Sequence, residues 1–167
     1  MKILKQIQTN LSVLLIKFLR FFLRIFSKVL PTDIFSYRHP VSVKGICFID
    51  NKVILLRNER GAWDLPGGKL SKDEDIKVCL AREMKEELDI DIHVDKLLEV
   101  DQLKVMDMVG VIILIYICST DAKREDIKLS FEHYGMGLYS LEEMDLLNMS
   151  GNYKSIIRMA QEQMAMV

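Results

Sequence analysis

The segment Ser71–Ile90, SKDEDIKVCLAREMKEELDI, constrains the fold most, because its apolar and charged residues follow a helical period. Four apolar side chains recur at every fourth position: Ile76, Leu80, Met84 and Leu88. Residues at this spacing share one face of a helix, and Ser71 with Glu74 has the spacing of a capping box. We predict a helix from Lys72 to about Asp89 that packs on a core through this apolar stripe.

Three carboxylates stand beside the stripe, at positions i, i+3 and i+4: Glu83, Glu86 and Glu87. Like charges at this spacing repel one another by about 0.2–0.5 kcal/mol per exposed pair, and Arg82 can offset part of the repulsion through Glu86. Clustered oxygen ligands suit a hard divalent cation such as Mg²⁺. The alternative is an ordinary solvated acidic face, which many surface helices have.

The glycine pair before the helix favours a metal site. Pro66-Gly67-Gly68 predicts a tight turn whose backbone can approach a ligand closely. Such a turn can direct a carbonyl or an amide of Gly67 or Gly68 at a substrate or a metal. A glycine loop next to a carboxylate helix suits phosphoryl chemistry, in which a metal neutralises phosphate charge and activates a water.

Short apolar segments around this helix predict a mixed β-sheet. Val41–Ile49 and Val53–Arg57 predict a hairpin around a turn at Asp50–Lys52, and Met108–Cys118 is apolar enough for a central strand. The remaining predicted elements are strands Ile90–Val100, Ile127–Phe131 and Met136–Tyr139, a helix Leu141–Asn148, and a C-terminal helix with the apolar stripe Tyr153, Ile156, Ile157, Ala160 and Met164. Strands interleaved with few helices predict an α/β fold, with a mixed sheet between helices.

The first 35 residues differ from the rest of the chain. Asn10–Leu30 is interrupted by charge too often for a membrane span or a signal peptide. Lys17, Arg20 and Arg24 share one face of a predicted helix that is otherwise rich in leucine and phenylalanine. Such a basic amphipathic helix suits peripheral contact with an anionic membrane surface through residues 10–30. The alternative is packing on its own domain or on a partner subunit, as in a homodimer.

We therefore predict a basic amphipathic helix and linker over residues 1–35 and a globular domain over residues 36–167. Residues 1–30 hold six basic side chains and no acid, whereas the rest of the chain holds 17 basic and 24 acidic side chains. An acidic domain is unsuited to a phosphate backbone, so we expect no nucleic-acid partner. The three cysteines lie in apolar runs without CxxC spacing, which predicts buried, reduced thiols and a cytoplasmic protein, with a peripheral position on the inner face of the membrane as the alternative.

The stretch Gly68–Ile90 resembles the Nudix box, G-x5-E-x7-R-E-U-x-E-E-x-G-U, in which U is a bulky aliphatic residue. The matching positions span 23 residues: Gly68, Glu74, Arg82-Glu83-Met84, Glu86-Glu87 and Ile90. The exception is Asp89, where the family usually has glycine; aspartate tolerates the left-handed conformation expected at a helix C-terminus better than most residues. Trp63–Gly67 and the strand pattern are also similar to the family. The resemblance covers roughly Val41 to the C-terminus and implies a Nudix-type α/β/α sandwich.

The resemblance also implies roles for the box residues. Three carboxylates would bind Mg²⁺, with Mn²⁺ as an alternative: Glu83, Glu86 and Glu87. The Gly68 carbonyl would complete the coordination, Arg82 would orient the glutamates by ion pairing, and Glu74 would be structural. The implied reaction is metal-dependent hydrolysis of a diphosphate bond in a nucleoside diphosphate derivative.

Other candidates lie outside the box. Glu132, in the loop before the last predicted strand, is the implied further metal ligand or general base, and a plain surface residue is its alternative. His133 could contact phosphate or be a surface polar group. Arg57, at a strand end, could bind a substrate phosphate bidentately or be an exposed cation. Trp63 is expected to pack the loop rather than stack on a base.

The box does not select the substrate. No proline follows Pro66, so the downstream proline markers of family members that hydrolyse ADP-ribose or NADH are missing. A small nucleotide-type substrate is expected from the family alone, and a lipid- or sugar-linked diphosphate at a membrane surface is the alternative. A non-catalytic nucleotide-binding module and an isomerase of prenyl diphosphates are further alternatives, against which the intact box argues.

Overall fold

The computed structural model describes Lys17 and residues 39–105, 109–131, 133–149 and 151–165. Apart from Lys17, the predicted helix at residues 10–30 lies outside the described residues, as do the predicted domain boundary and Glu132. The elements in chain order are β1 Val41–Ile49, β2 Lys52–Arg57, β3 Trp63–Asp64, α1 Ile76–Leu88, β4 His93–Val105, β5 Val109–Ser119, a 3₁₀ helix Arg124–Asp126, β6 Gly135–Tyr139, α2 Leu141–Asp145 and α3 Gly151–Ala165.

The β1–β2 hairpin forms where the sequence predicts it. Its turn consists of Asp50 and Asn51, which have φ of 52° and 60°, and Ile49 pairs with Lys52 across it. Two successive left-handed residues match the twist of the flanking strands, and Asp and Asn adopt that conformation at low cost. The turn is therefore shorter than predicted, and Lys52 already belongs to β2.

The sheet is mixed, as predicted. Its strand order is β3-β2-β1-β5-β4, and β6 pairs with β2. β1 and β5 are parallel, whereas the other described pairs are antiparallel. The apolar strand β5 lies between β1 and β4, which agrees with its predicted central position.

Each face of the sheet is covered by helix. One apolar cluster joins α1 to the sheet and includes Val43, Cys47, Ile54, Leu56, Leu80, Met84 and Leu88. The other joins α2 and α3 to the opposite face and includes Ile46, Val53, Leu55, Ile115, Met144, Ile156 and Ile157. Alternate residues of β1 and β2 enter opposite clusters, as expected of strands buried on both faces. The predicted α/β/α sandwich is confirmed.

All three cysteines are buried free thiols, as predicted. Burial raises the pKa of the Cys47 thiol to about 12 and that of Cys79 to about 11. Thiols of this kind are unreactive near neutral pH, and all three cysteines pack in the apolar core between α1 and the sheet.

Several predicted element ends were wrong. Ile127–Phe131 is not a strand, because the N–H groups of Lys128 and Ser130 donate to the carbonyls of Leu88 and Glu87 at the end of α1. β4 runs from His93 to Val105 rather than from Ile90 to Val100, and the helix predicted over Leu141–Asn148 already ends at Asp145. Met164, expected in the apolar stripe of α3, is 42% exposed.

Within the described residues, no helix is long and apolar enough to span a membrane.

Candidate active site

Helix α1 begins at Ile76, later than predicted. Asp75 is its N-cap, and the Asp75 carboxylate accepts the N–H groups of Lys77 and Val78. Asp73 has a φ of 62°, which prevents the helix from extending further back. Glu74 does accept the Ser71 N–H at 3.0 Å. The Ser71–Glu74 hydrogen bond therefore stabilises the turn before the helix and is not the N-terminal cap of the helix.

The apolar stripe of α1 fixes how the helix is rotated about its axis. Leu80, Met84 and Leu88 are fully buried, and Ile76 packs on the same cluster, as predicted. Because the stripe is held in the core, the carboxylates at neighbouring positions must lie at the edge of the helix interface. The core therefore fixes where these carboxylates emerge from the helix.

Arg82 connects the acidic side chains at this edge. Its Nη1 donates to Glu83 Oε1 and to Glu86 Oε2, each at 2.9 Å. Its Nε and Nη2 donate to the two carboxylate oxygens of Glu74, at 2.8 and 3.2 Å. Such charge-assisted bonds favour the ionised acid, and the bond from Arg82 lowers the pKa of Glu74 to about 2. The predicted ion pairing of Arg82 with the glutamates is present.

Glu87 is nearly buried, with 9% of its surface exposed. Its Oε2 accepts the Gly67 N–H at 2.7 Å, and its Oε1 lies 2.8 Å from Nε2 of His133. Burial raises the pKa of the Glu87 carboxyl, while the Gly67 bond and the charges of Lys44 and His133 act in the opposite direction. Glu87 thus joins the helix to the glycine loop.

Gly67 can only be glycine in this loop. Its φ is 120°, and a Cβ there would lie 2.2 Å from the Val43 carbonyl oxygen. The left-handed φ and the absent side chain bring the loop against β1. In this position the Gly67 N–H reaches Glu87.

Gly68 packs directly on the first box carboxylate. A Cβ at Gly68 would lie 2.4 Å from Cδ of Glu83, so the carboxylate occupies the space that a side chain would need. The Gly68 carbonyl accepts the Val43 N–H at 2.8 Å and the Ser42 hydroxyl at 3.2 Å. The metal role predicted for this oxygen requires release of the longer bond from Ser42.

The segment before β6 docks on the end of α1 and carries His133 to Glu87. Ser130 N–H donates to the Glu87 carbonyl at 2.9 Å, and Tyr134 N–H donates to the Arg57 carbonyl at 3.1 Å. The sequence suggests a phosphate contact for His133, but no local pattern relates it to an acid 46 positions earlier. Glu132 lies outside the described residues, and its role stays a prediction.

The other two candidates, Arg57 and Trp63, pair with each other across β2 and β3. Arg57 follows Val53 and Leu55 along β2, so the strand register directs its side chain to the face opposite α1. Its guanidinium lies over Gly61, where a Cβ would be 3.4 Å from Nη2. Trp63 contacts Tyr139 edge-on, with ring centroids 4.9 Å apart, so it packs the loop as predicted. The phosphate contact of Arg57 remains a prediction.

Lys44 belongs to the candidate site and was not predicted from the sequence. It lies on β1 with 14% of its side chain exposed, and its Nζ donates to three oxygens of the segment 64–67. A single lysine within the apolar strand VSVKGICFI was the available signal, because a buried cation requires partners.

The donor chemistry fits a hard divalent cation. The three α1 carboxylates offer oxygen only, which Mg²⁺ prefers, and the Glu83 carboxylate is cradled by Gly68. Among the described residues, no three His, Cys, Asp or Glu side chains converge closely enough to hold a metal. Arg82 engages Glu83 and Glu86, and His133 engages Glu87. A metal would therefore have to exchange with these partners.

Asp89, the departure from the box, is the C-cap of α1. It has φ of 56° and ψ of 27°, in the left-handed region, as the sequence predicts. Ion pairs with Lys128 and Lys85 lower the pKa of its carboxyl. Aspartate therefore fills the position where the family has glycine.

A family model of the NUDIX domain matches residues 38–159. The chain belongs to the Nudix family. The match includes the box, the glycine loop and every strand described above. The recognition made from Gly68–Ile90 is confirmed.

The chain matches only part of the length of the curated relatives. A MutT-like protein from Streptomyces ambofaciens is 35% identical over 82 residues, which is 48% of this chain and 51% of the relative. The mRNA-decapping enzyme subunit 2 of Saccharomyces cerevisiae is 35% identical over 61 residues, 34% of this chain and 6% of that protein. The chain thus spans about half of the first relative and a small part of the second.

Solved structures show the same Nudix fold. The MutT protein of Methanosarcina mazei Go1 aligns with a TM-score of 0.65 and 24% identity, over 77% of this chain and 96% of that chain. An ADP-ribose pyrophosphatase from Streptococcus suis aligns with a TM-score of 0.62 and 20% identity, over 75% and 92%. A UDP-X diphosphatase aligns with a TM-score of 0.66 and 16% identity, over 84% and 71%. At these identities the likeness shows the fold.

Proposed function

We propose that this Nudix domain hydrolyses a diphosphate bond in a nucleoside diphosphate derivative, with Mg²⁺ as its cofactor. The observation that carries the proposal is the junction at Glu87, where a buried carboxylate of α1 accepts the Gly67 N–H at 2.7 Å. This junction places the loop backbone beside an all-oxygen donor set. The names of the ADP-ribose pyrophosphatase and the UDP-X diphosphatase support the substrate class.

The α1 carboxylates are the proposed metal ligands, and each contributes differently. Glu86 is the accessible one, with 58% of its side chain exposed, whereas Glu83 and Glu87 are 16% and 12% exposed. Arg82 holds Glu83 and Glu86 at one guanidinium nitrogen, so it keeps two like charges in a fixed arrangement. When bound, the cation would neutralise phosphate charge and make a coordinated water more acidic.

The remaining roles concern substrate and proton transfer. Glu132, the neighbour of His133 in the sequence, is the proposed further metal ligand or general base. The loop of Gly67 and Gly68 is the proposed substrate-binding backbone, with the Gly68 carbonyl as a metal ligand. Arg57 is the proposed phosphate contact; because it faces away from α1, it would serve the distal part of the substrate.

A substrate panel tests the proposal. Purified protein is incubated with nucleoside diphosphate derivatives in Mg²⁺, in Mn²⁺ and in EDTA, and released phosphate or nucleotide is measured after phosphatase coupling. We expect metal-dependent product from at least one nucleotide, and the same product from Glu99→Gln, a control at an exposed acid on β4. Nucleotide binding without product in either metal would instead support the non-catalytic module. Product from prenyl diphosphates without hydrolysis would support the isomerase.

A lipid- or sugar-linked diphosphate is the second candidate substrate, motivated by the basic amphipathic pattern of Asn10–Leu30. On this proposal the cytoplasmic protein contacts the inner face of the membrane through residues 10–30. Deleting residues 1–35 should abolish sedimentation with anionic liposomes and leave nucleotide hydrolysis intact. Unchanged sedimentation would reject membrane contact, and a halved molar mass by light scattering would favour a homodimer held by this segment.

A further inference from the structure

Lys44 makes three polar contacts with one short segment of chain. Its Nζ donates to the Leu65 carbonyl at 2.9 Å, to the Gly67 carbonyl at 3.0 Å and to Asp64 Oδ2 at 3.3 Å. An ammonium group has three N–H donors, and each has an acceptor here. Lys44 is thus committed to this segment and has no donor left for a substrate phosphate.

The main-chain bonds of β1 explain what the lysine adds. Gly45 N–H donates to the Pro66 carbonyl at 3.0 Å, and Val43 N–H donates to the Gly68 carbonyl at 2.8 Å. Alternate carbonyls of an extended chain point in opposite directions. β1 backbone therefore holds the carbonyls of residues 66 and 68, and the Lys44 side chain holds those of residues 65 and 67. Three consecutive β1 residues fix four consecutive loop carbonyls.

The same arrangement directs a loop amide at the candidate site. With the carbonyls on both sides held, the Gly67 N–H points at Glu87 Oε2, 2.7 Å away. The Lys44 charge also acts on Glu87 across this loop. Two of the three Lys44 acceptors are neutral carbonyls, and Asp64 is 35% exposed. A surface ion pair alone does not explain a lysine side chain that is only 14% exposed, since burying a cation is costly without specific bonds.

We propose that Lys44 is a positioning residue of the active site: its ammonium group holds the loop 64–67 so that the Gly67 backbone and Glu87 stay in the arrangement that receives the metal and the diphosphate. The inference deepens the proposed function and rests on it. Lys44 does not touch the reacting atoms; it acts through Gly67.

Two substitutions at Lys44 test the proposal. Lys44→Met keeps the apolar stem and removes the three bonds, and Lys44→Ala also leaves room for a soluble amine. Lys154→Met is the matched control, because Lys154 makes a similar clamp on the carbonyls of Asp145 and Leu147 at 3.0 and 2.8 Å. For each variant we would measure the melting temperature, Mn²⁺ affinity by calorimetry without substrate, and kcat and KM for the best panel substrate.

We expect Lys44→Met to remain folded, to bind Mn²⁺ several-fold more weakly and to lose about tenfold or more in kcat, since small misplacements of catalytic groups have effects of that size. Ethylammonium should restore part of the kcat of Lys44→Ala, whereas tetramethylammonium at equal ionic strength should not, because it has no N–H to donate. Lys154→Met should lower the melting temperature and leave Mn²⁺ affinity and kcat unchanged.

Wild-type kcat and Mn²⁺ affinity in Lys44→Met would overturn the proposal. Equal losses in Lys44→Met and Lys154→Met would overturn it as well, since they would reflect stability alone. If Lys44→Met does not fold, Lys44→Arg replaces it: a planar guanidinium cannot make the same three bonds, so reduced kcat supports the proposal and wild-type kcat contradicts it. If the wild-type protein hydrolyses no substrate, the proposed function fails, and the Mn²⁺ affinities still decide whether Lys44 organises the site.

Discussion

His133 Nε2 lies 2.8 Å from Glu87 Oε1, although the two residues are 46 positions apart. The contact exists because the segment before β6 donates main-chain bonds to the end of α1 and to β2. With Gly67 on the other oxygen, it surrounds the buried carboxylate with donors. These donors offset part of the free-energy cost of burying that charge. Because burial still raises the pKa of Glu87, part of the cost remains and has measurable consequences.

Glu87→Gln should remove nearly all turnover without unfolding the domain, because glutamine keeps the shape of the side chain and loses the charge. Burial raises the pKa of Glu87, so its contribution to stability is greatest below the ordinary pKa and is lost as pH rises through the raised one. At pH 7 in EDTA, the variant should thus melt no lower than wild type. Thermal melts and activity assays check both points. Retained turnover would contradict the role of Glu87 as a metal ligand.

Gly67→Ala should destabilise the domain strongly. A φ of 120° and a Cβ 2.2 Å from the Val43 carbonyl oxygen leave no room for alanine, and the backbone strain alone costs about 1–3 kcal/mol. Gly61→Ala is the control: Gly61 also has a positive φ, of 75°, but a Cβ there would meet only the flexible Arg57 side chain at 3.4 Å. In urea unfolding, the free energy of unfolding of Gly67→Ala should be well below that of Gly61→Ala. Equal losses of stability in the two variants would contradict the conclusion that close packing against β1 requires glycine at position 67.

Glu74→Gln should flatten the acid limb of the stability profile. The Arg82 bond lowers the pKa of Glu74 from 4.5 to about 2, so the carboxylate stabilises the fold above its ordinary pKa, and this contribution is lost as pH falls from about 4.5 towards 2. Melting temperatures of wild type and variant should therefore converge over that interval. A constant difference between the two curves would show that the ion pair does not titrate with folding.

Asp89→Ala should destabilise the end of α1, since alanine tolerates the left-handed region less well than aspartate and the ion pairs with Lys85 and Lys128 are lost. Asp89→Gly should be closer to wild type, because glycine adopts the left-handed conformation of the cap without strain, which compensates for the lost ion pairs. Asp91→Ala, at a 92% exposed partner of Lys85, is the control and should have little effect. Denaturant unfolding checks this prediction: the free energy of unfolding should be lowest for Asp89→Ala and closer to wild type for Asp89→Gly and Asp91→Ala.

Much of the fold could be predicted from local patterns. The every-fourth-residue stripe of α1, the apolar runs of β1 and β2 and the turn between them each depend on neighbours in sequence, and each was found. The boundary errors have a common origin. Helix start depended on the left-handed Asp73 and the cap at Asp75, and Ile127–Phe131 failed as a strand because its amides are used by α1. Hydrophobic pattern does not reveal which distant carbonyl an amide will meet.

The candidate site divides in the same way. The family, the carboxylate face of α1 and the requirement for a glycine loop can be read from the sequence alone, because they follow from residue types at fixed spacings within 23 positions. Three further relationships appear only in the folded chain: Glu87 is buried between Gly67 and His133, Arg57 faces away from α1, and Lys44 holds the loop. Those relationships join residues from different elements, and their geometry is set by sheet register and by packing on both faces, which no short sequence window contains.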